Sequence, residues 1–398
     1  MKFSNCNKAR QRRLCTRIAG IVKNTNPAIK PDDAAARMNR IAQARHAVLQ
    51  EHTLLPAGTI THWVEQSWQR CLNLGLRPQE RVVFDRVSQQ QMRHTAESNQ
   101  TLVQAARPIL LQLGHAIANT RYFAILTNAD GVVVDASGAI DRADRRADNI
   151  TRIGTDLSER SVGTTAIGAA LAELQPVWLH RGEHFFADTS VYSCAGAPLF
   201  GPDGACIGML DLTGIETVER PELKHLASQS AQRIENALLR SQAHRLLLRL
   251  NWPGNALGSE ADGLLALDAD GWITGANQIA RQMVPGLDVV APARVHASEV
   301  FGIACDLLFD AAQRHDATLE IPLWSGLRLR ALALKPAQEA RSFAVAQQAT
   351  QANIRPLKDI ETSLILRAVE QARGNVAQAA QSLGISRATV YRKLGKPK

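Results

Sequence analysis

The chain has 398 residues, 45% of them hydrophobic and 21% charged, which is room for several domains and excludes an intrinsically disordered protein. Its net charge of +9 is uneven: residues 1–30 carry eight Lys and Arg and no acid, and residues 355–398 carry nine against Asp359, Glu361 and Glu370, so basic ends flank an acidic middle and suggest a polyanionic partner. No apolar run approaches the ~18–20 residues of a membrane-spanning helix, no secretory leader is recognisable, and six scattered cysteines (Cys6, Cys15, Cys71, Cys194, Cys206, Cys305) without a C-x-x-C pair argue against a zinc ribbon or disulfide framework and fit a reducing cytoplasm.

Residues 1–37 are a weakly patterned basic extension, either a disordered arm or upstream sequence read from too early a start, since Met38 opens a better helix. Residues 38–100 read as an N-terminal helical region. Met38, Ile41, Ala44 and Val48 share one face over 34–50, and Pro56 breaks the pattern. A second amphipathic helix covers 60–74, with Gly75 at the C-terminal cap position. A third helical pattern runs from 88 to 119, interrupted at Pro108.

At Arg121 the period changes, and residues 101–250 read as one α+β domain. A strand at 122–127, an Asn-Ala-Asp-Gly turn and a returning strand precede a charged loop at 141–152. A helix over 161–174, a strand at 177–179 and a strand-turn-strand over 193–213 follow. The domain closes on a long signalling helix over 222–250. Its stripe of Leu223, Leu226, Ile234 and Ala237 suits core packing or a two-stranded coiled coil, and a helix that links two domains favours the coiled coil and a homodimer. Residues 255–335 form a smaller α+β unit, with a strand at 264–267, a turn at 268–271, a helix opening at Asn277 and an alternating strand from Gly326. Residues 336–355 are an Ala/Gln-rich linker.

Residues 356–398 carry the clearest chemistry. Leu357, Ile360, Leu364 and Ala368 share a helical face, Gly374 stops that helix, and Asn375 caps a short one over 376–382. After a Leu383-Gly384-Ile385 turn, Ser386 caps a last helix over 387–394. This is helix-turn-helix spacing: Ala380 is small where the helices cross, and Gly384 supplies the positive φ of the turn. The expected DNA contacts are Ser386, Arg387, Thr389, Arg392 and Lys393. Arg suits bidentate contact with guanine in the major groove, while Lys393, Lys396 and Lys398 would lie near phosphates and add affinity without sequence information. Double-stranded DNA is the implied partner, read by a dimer because one short helix spans few base pairs. The plainer alternative is an αα-hairpin with a solvated basic face.

The stretch Gly374-Asn-Val-Ala-Gln-Ala-Ala-Gln-Ser-Leu-Gly-Ile-Ser-Arg-Ala-Thr-Val-Tyr-Arg-Lys-Leu394 resembles the Fis-type DNA-binding module that ends bacterial enhancer-binding regulators. In the middle of the chain, Ser161-Val-Gly-Thr-Thr-Ala-Ile-Gly168, Gly182-Glu-His-Phe-Phe186, Cys194-Ala-Gly-Ala-Pro198 and Gly208-Met-Leu-Asp-Leu-Thr-Gly214 resemble the GAF sensor of the acetoin catabolism regulator family. Ser67-Trp68-Gln69-Arg70-Cys71 with Gly75-Leu76 fits that family's N-terminal region, and residues 255–335 are similar to a degenerate PAS domain. The resemblance implies a multidomain α+β fold: N-terminal helices, a GAF sensor, a PAS-like domain and an all-α Fis-type helix-turn-helix. It also implies a cytoplasmic regulator without a cofactor or metal, with RNA polymerase or a full-length paralogue as further partners. Two departures matter. Members usually carry a sigma-54-directed ATPase before the DNA-binding module, whereas here no G-x-x-x-x-G-K-[ST] occurs, so no triphosphate cradle and no ATP hydrolysis are expected. Thr165 stands where that family typically has Asn, which weakens the carry-over of its ligand to this pocket.

Within the sensor, Thr164, Thr165, Glu183, His184, Ser193 and Cys194 are the expected contacts for a small-molecule effector, against apolar walls such as Phe185 and Phe186. Each also has a plain structural reading, as a sheet-edge cap or core filler. His180, His184 and Cys194 match no standard metal spacing, and a Cys194/His184 dyad lacks an evident orienting group. The leading expectation is a DNA-binding transcription regulator with a small-molecule sensor and no enzymatic activity. The alternatives are a sensor and dimerisation protein that modulates a full-length paralogue, and a GAF-fold redox enzyme using Cys194.

Overall fold

The computed structural model describes residues 31–336 apart from 52, 54, 57, 85, 86, 288–293 and 315–317, and beyond them Val369, Val376 and Arg387. Residues 1–30 of the extension predicted over 1–37, nearly all of the linker and most of the predicted helix-turn-helix lie outside the described residues, whereas residues 31–37 are helical rather than a disordered arm, and Arg37 pairs with Glu183. Val369, Val376 and Arg387 are helical, and Arg387 is exposed. The chain divides into two compact units, residues 1–201 with 205–238, and residues 202–204 with 239–398.

In the first unit, α1 (Pro31–Arg45) continues as a π-helical turn, His46–Gln50, and is followed by α2 (His62–Asn73), α3 (Gln89–Ser98) and α4 (Gln100–Ile117). Gly75, at φ +81°, lets the chain turn out of α2. Ser88 and Gln91 form a capping box at the start of α3: the Gln91 N–H donates to Ser88 Oγ (3.2 Å), and the Ser88 N–H donates to Gln91 Oε1 (3.0 Å). The helical break falls at Asn99, not at Pro108, which lies inside α4 on its exposed side. The missing proline donor is tolerated because Leu102, Ala106, Leu110, Leu113 and Ile117 are buried along the opposite face, so packing holds the helix.

The strands are β1 (Tyr122–Asn128), β2 (Val133–Gly138), β3 (Val177–His180), β4 (Tyr192–Phe200) and β5 (Cys206–Ile215), antiparallel in the order β2-β1-β5-β4-β3. Between β2 and β3 lie α5 (Arg145–Ile150), α6 (Glu159–Val162) and α7 (Ala166–Glu173), and α8 (Leu223–Ser241) follows β5. The helix predicted over 161–174 is therefore two, divided at Gly163. Both sheet faces are covered. Tyr122, Ala124, Leu126, Leu210 and Leu212 cluster with α4 and α8 on one side, and Phe123, Ile125, Cys194 and Met209 cluster with α7 on the other.

The helix predicted over 222–250 ends at Ser241, and residues 246–251 are a strand of the second sheet. Leu246, Leu247, Leu248 and Leu250 are buried on both faces of that strand. Such a short leucine run has no distinguishing period, and leucine favours helices, so only pairing with its neighbours makes it a strand. The α8 stripe is also accounted for within the fold. Leu223, Ala227, Ala231, Ile234 and Leu238 are buried against their own sheet, so the pattern that suggested a coiled coil is core packing. The 38–100 and 101–250 segments fold together rather than as separate domains, because α1 and α2 pack onto loops of the first sheet.

The second unit has β6 (Leu246–Asn251), β7 (Gly263–Leu267), β8 (Ile273–Ala276), β9 (Thr318–Pro322) and β10 (Arg328–Leu334), antiparallel in the order β8-β7-β6-β10-β9. Helices α9 (Gln278–Met283), α10 (Ala297–Val300) and α11 (Cys305–Ala311) supply residues to its core. Asn277 caps α9, its Oδ1 accepting from the Ala280 N–H at 2.9 Å. The two sheets share one turn chemistry. Asn128 Oδ1 accepts from the N–H groups of Asp130 and Val132 between β1 and β2, and Asp268 Oδ1 does the same for Asp270 and Trp272 between β7 and β8. Gly131 and Gly271 take positive φ in these turns.

Candidate functional site

A cavity of about 30 Å³, room for roughly two water-sized groups, lies between the first sheet and α7. Ile125, Leu157, Val162 and Ile167 give it apolar walls, and Thr165, His184, Cys194, Asp211 and Thr213 bring polar atoms to it. Strand register explains the grouping. On the face turned to α7, Cys194 of β4 sits opposite Thr213 of β5, and Asp211 sits between Gly196 of β4 and Ile125 of β1. Gly196 has no side chain to lift α7 away: a Cβ there would stand 2.5 Å from Met209 Cε and 3.0 Å from the Ala166 carbonyl oxygen.

The polar groups have definite roles. The His184 ring places Nδ1 2.9 Å from the Arg181 carbonyl, which can only accept, so Nδ1 carries the proton. Nε2, 3.6 Å from Cys194 Sγ, is then an acceptor in the neutral ring. Burial pushes the His184 pKa down to about 4, which keeps the ring neutral. Thr213 Oγ1 lies 3.5 Å from Cys194 Sγ and donates a short hydrogen bond to Asp211 Oδ2. Asp211 is 1% exposed, burial pushes its pKa up to about 7, and Oδ1 has no hydrogen-bond partner. Burial also raises the Cys194 thiol well above its ordinary pKa, so the Cys194/His184 pair is a neutral thiol beside a weakly basic imidazole, not an activated nucleophile.

Of the six expected effector contacts, the structure brings Thr165, His184 and Cys194 to the cavity and places Thr164, Glu183 and Ser193 elsewhere. Thr164 Oγ1 lies 2.7 Å from Ser67 Oγ of α2. Ser193 Oγ is 2.7 Å from His180 Nδ1. The Glu183 carboxylate accepts from Arg37 of α1 at 2.9 and 3.0 Å and from the His180 N–H at 2.7 Å. Phe185 and Phe186 pack with α2 rather than walling the cavity. Thr165 lines the cavity while capping α7, its Oγ1 accepting from the Gly168 N–H at 3.2 Å. The sequence reading missed Asp211 and Thr213. The signal was available: an acid at an inward-alternating position of a strand otherwise buried on both faces.

Loop 181–186, which carries His184, is held from outside the sheet. Arg45 of α1 donates to the carbonyls of Gly182 and Phe185 at 2.9 Å and to that of His184, and Trp68 Nε1 of α2 donates to the Glu183 carbonyl at 2.9 Å. Arg70 of α2 pairs with Glu159 at 2.7 Å and Glu173 at 3.0 Å, tying down α6 and α7. Among the described residues no group of three or more His, Cys, Asp or Glu side chains is placed to hold a metal ion, and no helix is long and apolar enough to cross a membrane.

These pKa directions set a pH dependence. His180 and His184 are both pushed down to about 4 by burial, so the folded chain binds fewer protons there than the unfolded chain between about 4 and 6.5. Their contribution is present above pH 6.5 and lost as pH falls toward 4. Asp211 acts oppositely: the folded state keeps its proton up to about pH 7, so its contribution declines as pH rises from 3.8. Two histidines outweigh one carboxyl, and stability from this set should rise from pH 4 to 6.5 and dip slightly toward 7. Urea midpoints measured across that range check this, and His184→Gln is expected to flatten the acid limb.

Of the expected DNA contacts, Ser386, Thr389, Arg392 and Lys393 lie outside the described residues, and Arg387 is exposed on a helix. Residues 38–236, half of the chain, match the family described as "MimR, N-terminal domain", and residues 356–396 match that described as "Bacterial regulatory protein, Fis family". The "Acetoin catabolism regulatory protein" of Cupriavidus necator is 32% identical over 259 residues, covering 62% of this chain and 37% of that protein. The "Propane 2-monooxygenase operon transcriptional activator MimR" of Mycolicibacterium goodii is 29% identical over 212 residues, covering 53% and 34%. The chain thus spans about a third of the length of the curated relatives it matches. A solved chain, "Crystal Structure of the E.coli DhaR(N)-DhaL complex", aligns at TM-score 0.43 and 13% identity over 69% of this chain and 99% of that chain.

Proposed function

The chain belongs to the family of the MimR N-terminal domain, and from that premise we propose that it is a sequence-specific DNA-binding transcription regulator that senses a small molecule and acts without ATPase activity or other catalysis. The observation that carries this reading is the pairing of two matched segments on one chain, the MimR-type domain over 38–236 and the Fis-type module over 356–396. The first sheet with its cavity is a GAF-type sensor, and the second unit is PAS-like. Double-stranded DNA is the partner of residues 356–398, bound by a homodimer whose two modules read two half-sites. Effector in the cavity shifts the balance between two arrangements of α8, which lies on the opposite face of the same sheet.

Binding of the full chain to its own upstream DNA and to scrambled DNA, across a salt series, tests the reading. A preference of roughly a thousandfold, lost when residues 356–398 are removed, is the expected result. Equal, steeply salt-dependent binding to both DNAs would instead describe a phosphate-only contact, and the chain would be a sensor and dimerisation protein.

A further inference from the structure

The cavity beside α7 is walled almost everywhere by side chains that cannot part without breaking the core. Its described lining residues are all buried except Phe84 and Thr165. Cys194, Asp211 and Thr213 stand on paired strands, and Ile150, Val162 and Ile167 stand on α5, α6 and α7. Close-packed walls of this kind open only together with the elements that carry them. A small molecule therefore has two ways in, at Phe84 and at Thr165, where a lining side chain also meets solvent.

The two places differ in how they are held. Thr165 caps α7: its Oγ1 accepts from the Gly168 N–H at 3.2 Å and its carbonyl from the Ala169 N–H at 3.0 Å, so it moves only with the helix. Phe84 is the one described lining residue that precedes the sheet in the chain, and it lies in the extended stretch 81–84 between α2 and α3. That stretch alternates as a strand does, with Val82 and Phe84 packed inward and Val83 81% exposed. It belongs to neither sheet, however, and among the described residues no hydrogen bond reaches the backbone of residues 81–84. The chain is last tied just before it, where the Pro78 carbonyl accepts from the Ala187 N–H at 2.9 Å and the Arg77 carbonyl from the Glu80 N–H at 3.0 Å. Side-chain packing alone holds Phe84 against the cavity. A segment with an exposed backbone and few buried contacts opens at low free energy while the sheet and helices around it stay folded.

We propose that Phe84 is the gate of this cavity: residues 81–84 swing outward, the ring leaves the wall, and a small molecule enters or leaves beside α7. The size of the side chain at position 84 sets the rate of that exchange. The assignment rests on the sensing reading above and adds the route by which the site is filled. It also gives the N-terminal helical region a second part in the site: α1 and α2 hold loop 181–186 in place, and the chain that leaves α2 supplies the movable wall.

Cys194 lines the cavity at 5% exposure, so its modification reports entry directly. The test is the rate at which methyl methanethiosulfonate, a small uncharged thiol reagent, labels it in the full chain, followed by mass spectrometry of its peptides. Cys71 is fully buried in the cluster around α2 and does not line the cavity, so it is the internal control for opening of the fold. Phe84→Ala should speed labelling of Cys194 at least tenfold, and Phe84→Trp should slow it at least threefold, with Cys71 within twofold of the parent in both. Thr165→Ser, which keeps the cap hydroxyl, should leave Cys194 within twofold. A Cys194 rate in Phe84→Ala within twofold of the parent, or one in Phe84→Trp no lower than the parent, overturns the gate. So does a rise at Cys71 as large as that at Cys194, which would mean entry by unfolding, or a larger acceleration in Thr165→Ser than in Phe84→Ala, which would place the entrance at Thr165. The reagent stands in for no effector, so these outcomes leave the sensing reading standing; that reading fails separately, if no small molecule that enters the cavity alters DNA affinity.

Discussion

Replacing Gly163 by alanine is expected to destabilise the first unit by about 3–5 kcal/mol, among the largest losses for a single methyl group in this chain. Gly163 joins α6 to α7 at φ 66° and ψ −157°, a region of the backbone map that is essentially restricted to glycine. Any Cβ would also stand 2.9 Å from Phe185 Cβ and 2.9 Å from Phe186 Cε2, rings that are buried and packed edge to face. Strain and overlap each cost about 1–3 kcal/mol, and neither is relieved by turning a flexible side-chain end. A unit of this size should lose on the order of 10 °C in melting temperature. The control is Gly75→Ala. Gly75 also has positive φ, at +81°, but nothing lies within 4 Å of its Cβ position, so only the backbone term remains, about 1 kcal/mol. Equal losses at the two positions would show that the Phe185–Phe186 contact is not what fixes Gly163.

The double change Arg387→Ala, Arg392→Ala should abolish preference for the cognate DNA while leaving binding to scrambled DNA nearly as it was. A bidentate arginine–guanine contact contributes about 1–3 kcal/mol of discrimination, so losing two should cost about 2–6 kcal/mol on the specific site alone. Lys393, Lys396 and Lys398 would still face phosphates, and Lys393→Ala should weaken both DNAs alike and reduce the salt dependence. Competition binding at fixed salt separates these outcomes. Survival of sequence preference in the double variant would mean that the last helix is not the reading element.

Much of this architecture was legible because its signals are local. Asn128 and Asp268 sit at the head of two Asx turns, Ser88 and Asn277 at helix starts and Gly75 at a helix end, and each predicted boundary falls within a few residues. What failed depended on distant partners. The Leu246–Leu250 run is a strand only because β7 and β10 flank it, and Pro108 is tolerated only because α4 is packed on the sheet. The same division runs through the site. Thr165, His184 and Cys194 were found because they sit in recognisable motifs. Motif membership could not separate them from Thr164, Glu183 and Ser193, whose polar atoms turn to Ser67, Arg37 and His180. Asp211 was visible as a residue but not as unpaired, since pairing is a property of neighbours that are remote in the chain.

The clasp of Arg45 and Trp68 on the carbonyls of loop 181–186 bears on how this domain can be cut and recombined. Those carbonyls, of residues 182–185, run from a short 3-10 turn into the extended residues after it and receive their donors from α1 and α2. A chain shortened to begin at residue 100 would keep every strand of the first sheet. It would also strip four consecutive peptide oxygens of their donors, leave Glu183 without its arginine and expose two phenylalanine rings. The first unit is therefore not modular at the point where its sheet begins: its smallest transplantable piece includes α1 and α2 together with the sheet.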